Sequence, residues 1–124
     1  MRVLLADDQP EVRSALRLLI EQLVGYTVVG EAADGPALLS AAEELRPDAV
    51  LLDWELPGAR VFSEEAGFGF GGVTALRALL PGVRIVALSV LPHAAAGALA
   101  AGADGFVCKG DPPRKLIEVL DGLW

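Results

Sequence analysis

The sequence predicts one α/β domain built on a parallel β-sheet that is covered by helices on both faces. Short apolar runs alternate with segments of helical period, which is typical of strands joined by crossover helices. The length of 124 residues fits one domain with one core. Hydrophobic residues make up 53% of the chain, so enough apolar side chain is present to fill that core.

Five segments are predicted as strands, and several are nearly continuous runs of Val, Leu and Ile, as expected of strands buried on both faces. They are Val3–Ala6, Thr27–Glu31, Ala49–Leu52, Arg84–Leu88 and Gly105–Cys108. The pattern therefore reads as five successive βα units.

The helices between these strands are predicted from apolar residues that recur on one helical face. The first set is Val12, Ala15, Leu16, Leu19, Ile20 and Leu23, and the second is Leu38, Ala41, Ala42 and Leu45. Asp34 and Asp111 each precede a helix-starting proline and are predicted to cap their helices, the last of which runs from about Pro112 to Leu123.

Charge and hydropathy argue against three classes of protein: nucleic-acid-binding, secreted and membrane-spanning. The net charge of −7 argues against a nucleic-acid surface, which needs clustered Lys and Arg. Asp7 and Asp8 interrupt the amino-terminal apolar run before it reaches signal-peptide length, so a cytoplasmic location is expected. The uncharged stretch from Ile85 to Ala103 is not predicted to span a membrane, because it divides into strand, loop and helix around Pro92.

Polar residues follow four of the predicted strands. Asp7 and Asp8 follow the first strand, Asp53 the third, Ser89 the fourth and Lys109 the fifth. Each alone has an ordinary explanation, such as a helix cap, a turn, a hydroxyl bonded to its own backbone or a solvated lysine. Because the carboxyl ends of parallel strands share one edge of the sheet, where ligands bind, we expect these side chains to converge there.

Such a cluster has a specific chemistry. Three carboxylates repel one another and raise one another's pKa unless a cation holds them, so an oxygen-ligand Mg²⁺ site is predicted. With Lys109 opposite the metal, a carboxylate oxygen of Asp53 is able to attack a phosphoryl group whose oxygens both cations neutralise. Ser89 is placed to donate a hydrogen bond to the new phosphoryl group and pull its loop inward, which predicts a two-state switch.

Four motifs together resemble the receiver domain of bacterial two-component response regulators. They are Leu5-Ala6-Asp7-Asp8-Gln9-Pro10, Leu51-Leu52-Asp53-Trp54-Glu55-Leu56-Pro57-Gly58, Ala87-Leu88-Ser89, and Gly102-Ala103-Asp104-Gly105-Phe106-Val107-Cys108-Lys109. The run Lys109-Gly110-Asp111-Pro112-Pro113 is most similar to the NarL/FixJ (LuxR-type) subfamily. The resemblance implies a flavodoxin-like (βα)5 fold, with a five-stranded parallel sheet of order 2-1-3-4-5.

The resemblance also implies partners and site roles. The expected donor of the phosphoryl group is a sensor histidine kinase or phosphotransfer protein. A second copy of the chain is a possible partner, as a homodimer. If the chain is a fragment, an output DNA-binding domain is also expected. The roles carried over by position are Asp53 as phosphoacceptor, Asp7 and Asp8 as the acidic pair, Glu55 as a metal ligand through its backbone carbonyl, Ser89 and Phe106 as the switch pair, and Lys109 as the phosphate-contacting lysine.

Three departures from the family pattern bear on function. Val90 follows the switch serine where a small residue is common, which predicts slower phosphorylation or hydrolysis. Phe106 stands where Tyr is frequent, and both a switch role and a plain core role stay open. An apparent insertion at residues 59–71 delays helix three, which resembles the family pattern from Gly72 onward; its aromatic residues form either a lid or partner surface, or a tolerated loop.

Three functional readings follow. The first is a signalling switch that carries only self-directed phosphotransfer and autodephosphorylation, and so is not an enzyme acting on other substrates. The second is a phosphatase with an aspartyl-phosphate intermediate; against it, the sequence has no cap domain for substrate and no dedicated acid/base carboxylate two residues after Asp53 unless Glu55 serves. The third is a degenerate receiver that acts by protein contacts without phosphorylation.

Overall fold

Strands and helices alternate throughout the computed structural model, which describes residues 1–57 and 70–124. The elements are β1 (Arg2–Ala6), α1 (Pro10–Glu21), β2 (Thr27–Ala32), α2 (Gly35–Leu45), β3 (Ala49–Asp53), α3 (Phe70–Leu79), β4 (Arg84–Ser89), α4 (Ala94–Ala100), β5 (Gly105–Cys108) and α5 (Pro113–Asp121). All five predicted strands are confirmed to within one residue at either end.

The five strands form one parallel sheet of order β2-β1-β3-β4-β5, which confirms the predicted flavodoxin-like fold. The register pairs Ala6 of β1 with Leu52 of β3, so the residues that follow them, Asp7 and Asp53, lie side by side. Ser89 closes β4 beside Cys108 of β5. The carboxyl ends of these strands therefore form one edge, as expected.

Alternate residues along each strand face opposite layers of helices, because successive strand side chains point to opposite faces. Leu4 and Ala6 contact the core beneath α2, α3 and α4. Val3 and Leu5 contact the core beneath α1 and α5. Every residue of β3 is buried, which explains why its sequence is continuously apolar until Asp53.

The uncharged stretch from Ile85 to Ala103 divides into β4, a loop and α4, as the sequence predicts. Within residues 1–57 and 70–124, no helix is long and apolar enough to cross a membrane.

The predicted insertion at 59–71 lies almost wholly outside the described residues. Helix α3 begins at Phe70, two residues before the start that the family pattern predicts at Gly72. The lid and partner-surface readings of this segment stay predictions.

The two predicted helix caps differ in outcome. Asp34 caps α2, since its carboxylate accepts a hydrogen bond from the backbone N–H of Ala37 at 2.8 Å. The cap predicted for Asp111 is wrong: α5 begins at Pro113, one residue later than expected. Asp111 then lies one position too far from the first turn, and its carboxylate accepts from the backbone N–H of Cys108 at 3.1 Å.

Replacing Asp34 by Ala is expected to destabilise the domain by about 1 kcal/mol, because an N–H of the first turn of α2 loses its acceptor. Urea unfolding measures this change, and Asp34→Asn is the matched control because its amide oxygen retains the acceptor. An equal loss in both variants would contradict the capping role.

Candidate functional site

Backbone hydrogen bonds carry the sheet ladder one step beyond the strands and fix the site residues at its edge. The N–H of Asp7 donates to the last carbonyl of β2 at 3.0 Å, and the N–H of Lys109 donates to the carbonyl of Ser89 at 2.8 Å. The N–H of Trp54 donates to the carbonyl of Leu88 at 2.8 Å. The backbone around the polar side chains is therefore fixed by the same pairing that forms the sheet.

The three predicted carboxylates come together. Asp7, Asp8 and Asp53 each offer an oxygen, and these oxygens lie within 4.8 Å of one another. Asp7 and Asp53 are almost wholly buried, at 0% and 2% exposure, whereas Asp8 is exposed. A set of carboxylate oxygens, partly open to water, fits a hard divalent cation such as Mg²⁺, which prefers oxygen ligands and retains several waters.

Lys109 lies against the two buried carboxylates, as predicted. Its Nζ is 2.7 Å from Oδ2 of Asp7 and 3.3 Å from Oδ1 of Asp53. The second carboxylate oxygen of Asp7, Oδ1, accepts from the backbone N–H of Gln9 at 2.9 Å. The buried negative charge of Asp7 is thus hydrogen-bonded on both oxygens, as a buried charge must be.

The site shifts two pKa values. The pKa of Asp53 is raised to about 6, chiefly by burial; the charge of Lys109 opposes the rise, and the charge of Asp7 adds to it. Burial alone would lower the pKa of Lys109, but its hydrogen bond to Asp7 and the charge of Asp53 outweigh burial and raise it. At neutral pH, Asp53 is therefore mainly ionised and Lys109 carries its positive charge.

Ser89 and Glu55 form a contact between β4 and the loop after β3. The Ser89 hydroxyl donates to the Glu55 carboxylate, with 2.8 Å to Oε1 and 2.9 Å to Oε2. The same hydroxyl accepts from the backbone N–H of Leu91 at 3.0 Å. Ser89 therefore makes the expected hydrogen bond to the backbone of its own turn and also bonds a side chain in the loop after β3.

The remaining predicted switch residue, Phe106, is half-buried in β5 and packs against the core beneath α2, α3 and α4. That position is compatible with both the switch and the core reading, and the choice between them stays open. Val90 is 64% exposed, and its effect on phosphorylation stays a prediction.

Two contacts were missed by reasoning from sequence. One is the side chain of Glu55, which was considered for its carbonyl and for acid/base chemistry but not as a partner of Ser89. The other is Arg13, whose Nη1 donates to the carbonyl of Asp7 at 2.7 Å and whose Nε donates to Glu31 at 2.9 Å. An arginine one helical turn into α1, beside an acidic loop, is the signal that could have indicated the second contact.

The fold and site together define a doubly wound α/β protein with a cluster of three carboxylates and a lysine at the carboxyl edge of its sheet. The chain belongs to the response-regulator receiver family, since the family model described as "Response regulator receiver domain" matches residues 3–121. This confirms the resemblance found in the sequence. Members of this family are signalling proteins of two-component phosphorelays rather than classical enzymes.

Relatives of known sequence support this assignment. The chain is 37% identical over 120 residues to the nitrate/nitrite response regulator NarL of Escherichia coli K12, covering 95% of this chain and 52% of that protein. It is 33% identical to the response regulator GacA of Pseudomonas viridiflava, covering 97% of this chain and 53% of that protein. The chain thus spans about half the length of the curated relatives it matches.

Solved structures agree with the fold. A two-component response regulator of the LuxR family from Aurantimonas sp. SI85-9A1 matches with a TM-score of 0.85 and 33% identity, covering 98% of this chain and 83% of that one. The isolated receiver domain of RcsB from Salmonella enterica serovar Typhimurium, solved with the phosphomimetic BeF3⁻, matches with a TM-score of 0.85 and 28% identity, covering 99% of this chain and 87% of that one.

Proposed function

We propose that this domain accepts a phosphoryl group on Asp53 from a histidine kinase or phosphotransfer protein, and that the modified domain changes conformation to regulate an output domain or partner. The observation that carries the proposal is the burial of Asp53 at the carboxyl edge of the sheet, where Lys109 contacts both Asp53 and Asp7. The proposal is supported by the match of residues 3–121 to the response-regulator receiver family. A cytoplasmic location is part of the proposal.

The reacting atom is a carboxylate oxygen of Asp53. An ionised oxygen forms the new O–P bond as the bond between phosphorus and the donor nitrogen breaks, and the electron pair of that bond stays with the nitrogen. The pKa of about 6 leaves Asp53 mainly ionised at neutral pH, so no general base is needed. Lys109 lies 3.3 Å from Asp53 Oδ1, within reach of phosphoryl oxygens that develop negative charge there.

A resident Mg²⁺ is part of the proposal, because the donor set is made of clustered carboxylate oxygens. Asp7, Asp8, Asp53 and the backbone carbonyl of Glu55 would hold it. When bound, the cation neutralises the charge of the acidic cluster and of the phosphoryl oxygens. Asp7 is oriented for this role by the hydrogen bond that its Oδ1 accepts from the N–H of Gln9.

The switch is proposed to run through Ser89 and Phe106. Ser89 is the last residue of β4, at the same edge as Asp53, so a phosphoryl group on Asp53 offers its hydroxyl a new acceptor. Movement of the loop after β4 would change the space available to Phe106 in β5, which pairs with β4. The curated relatives extend well beyond the matched region, so an output DNA-binding domain is the proposed recipient of the signal.

The proposal predicts that acetyl phosphate with Mg²⁺ adds one phosphoryl group to the wild-type chain and none to Asp53→Asn. Intact-mass spectrometry measures the gain, and chelation of Mg²⁺ is expected to abolish it. Asp48→Asn is a control, because Asp48 accepts a backbone hydrogen bond at 2.7 Å at the opposite end of the sheet.

No mass gain in the wild type, with Mg²⁺ present, would contradict the proposal and favour the degenerate receiver that acts by contacts alone. Sustained turnover of a generic phosphate ester would favour the phosphatase reading instead.

A further inference from the structure

The single proton of the Ser89 hydroxyl already has an acceptor. It donates its one proton to the Glu55 carboxylate, at 2.8 and 2.9 Å, and accepts from the N–H of Leu91 at 3.0 Å. Ser89 is 0% exposed, so water has no access through which to replace these partners. A hydroxyl has a single proton. Ser89 is therefore unable to donate a full hydrogen bond to Glu55 and another to a phosphoryl group on Asp53 at the same time.

The loop that carries Glu55 is itself anchored on Asp53. The backbone N–H of Glu55 donates to Asp53 Oδ1 at 3.0 Å, and the N–H of Leu56 donates to the carbonyl of Asp53 at 3.1 Å. One short loop therefore contacts the proposed acceptor through its backbone and the switch hydroxyl through a charged side chain.

We propose that Glu55 is a positioning residue that latches Ser89 in the resting domain and competes with a phosphoryl group on Asp53 for the Ser89 proton. This inference rests on the proposed function, since it concerns the acceptor state of the same site. Formation of the phosphorylated state transfers the Ser89 hydrogen bond from the Glu55 carboxylate to the phosphoryl oxygen. The latch lowers the free energy of the resting state and so makes the switched state harder to reach.

Removing the Glu55 side chain favours an anion on Asp53 in two ways. It frees the Ser89 proton, and it removes a negative charge near the anion. Only the first effect needs the Ser89 hydroxyl, so a double-mutant cycle separates them. Glu55→Ala leaves the backbone N–H and carbonyl of residue 55 in place, so the contact to Asp53 and the proposed metal ligand are both retained.

The test is the affinity for beryllofluoride at fixed Mg²⁺, measured by calorimetry on wild type, Glu55→Ala, Ser89→Ala and the double variant. Glu55→Ala is expected to bind about fivefold to tenfold more tightly than wild type, the range of one net hydrogen bond. In the Ser89→Ala background, the same substitution is expected to change the affinity by less than about twofold. Glu55→Gln, of equal size, is expected to give a smaller gain and serves if Glu55→Ala fails to fold.

The outcomes are distinct. An equal gain in both backgrounds would mean that charge repulsion alone acts, which overturns the latch and leaves the proposed function standing. No gain in either background also overturns the latch. Absence of beryllofluoride binding in the wild type and in every variant would overturn the proposed function and the latch with it.

Discussion

Replacing Asp53 by Asn is expected to stabilise the domain by about 2 kcal/mol at pH 7.5 in Mg²⁺-free buffer. The physical reason is that burial raises the pKa of Asp53 to about 6, so its ionised form is less favourable in the folded protein than in the unfolded chain. Asn has similar size and no charge, so the variant avoids this cost. Asp53, the proposed phosphoacceptor, thus lowers the stability of the folded domain.

The effect depends on pH in a defined direction. Because the pKa is higher in the folded state, the folded protein binds the Asp53 proton more tightly, and the wild type loses stability as pH rises from about 4 to about 6. The advantage of Asp53→Asn is therefore full above about pH 6 and disappears below about pH 4. Urea unfolding at several pH values measures it.

Asp8→Asn is the matched control, since Asp8 belongs to the same acidic cluster but is exposed. We expect it to change stability by less than about 0.5 kcal/mol, because exposed substitutions have small effects. Added Mg²⁺ is expected to stabilise the wild type and not Asp53→Asn, because a ligand stabilises only the folded state that binds it. Equal stability of wild type and Asp53→Asn at pH 7.5 would contradict the claim that burial of the ionised Asp53 carboxylate destabilises the folded protein.

The sheet and its carboxyl edge could be predicted because parallel strands buried on both faces need continuous apolar residues. Polar residues such as Asp53 and Ser89 then mark the ends of their strands. Topology alone brings those ends together, so the convergence of Asp7, Asp53 and Lys109 needed no knowledge of side-chain conformation. The strand pattern therefore located the site at the level of backbone positions.

The contacts that were not predicted depend on finer geometry. The Glu55 carboxylate, in the loop after β3, contacts Ser89 at the end of the neighbouring strand β4. The spacing of residues along the chain does not predict such a contact. The caps show the same limit: Asp34 is the N-cap and Pro36 the second helical residue, whereas Asp111 lies one position further from its helix. A one-residue difference in where a helix begins decides whether an aspartate caps it.

Replacing Lys109 by Met is expected to slow phosphoryl uptake from acetyl phosphate by about 100-fold or more, the usual effect of removing one charge-stabilising donor. The ammonium group that contacts Asp7 at 2.7 Å and Asp53 at 3.3 Å is lost, while Met retains most of the apolar length. Two buried carboxylates then lose their cation, which is expected to cost roughly 2 to 4 kcal/mol of stability above the pKa of Asp53.

The same substitution is expected to strengthen Mg²⁺ binding by about threefold to tenfold, because the lysine charge no longer competes with the metal for Asp7 and Asp53. If Lys109 neutralises phosphoryl charge directly, phosphoryl uptake slows while Mg²⁺ binding becomes tighter. General damage to the site would instead weaken both phosphoryl uptake and Mg²⁺ binding. Lys115→Met, at an exposed position on α5, removes a lysine without touching the site. It is expected to leave both quantities unchanged, and an equal loss of uptake in the two variants would show that net charge, rather than the contacts of Lys109, controls the reaction.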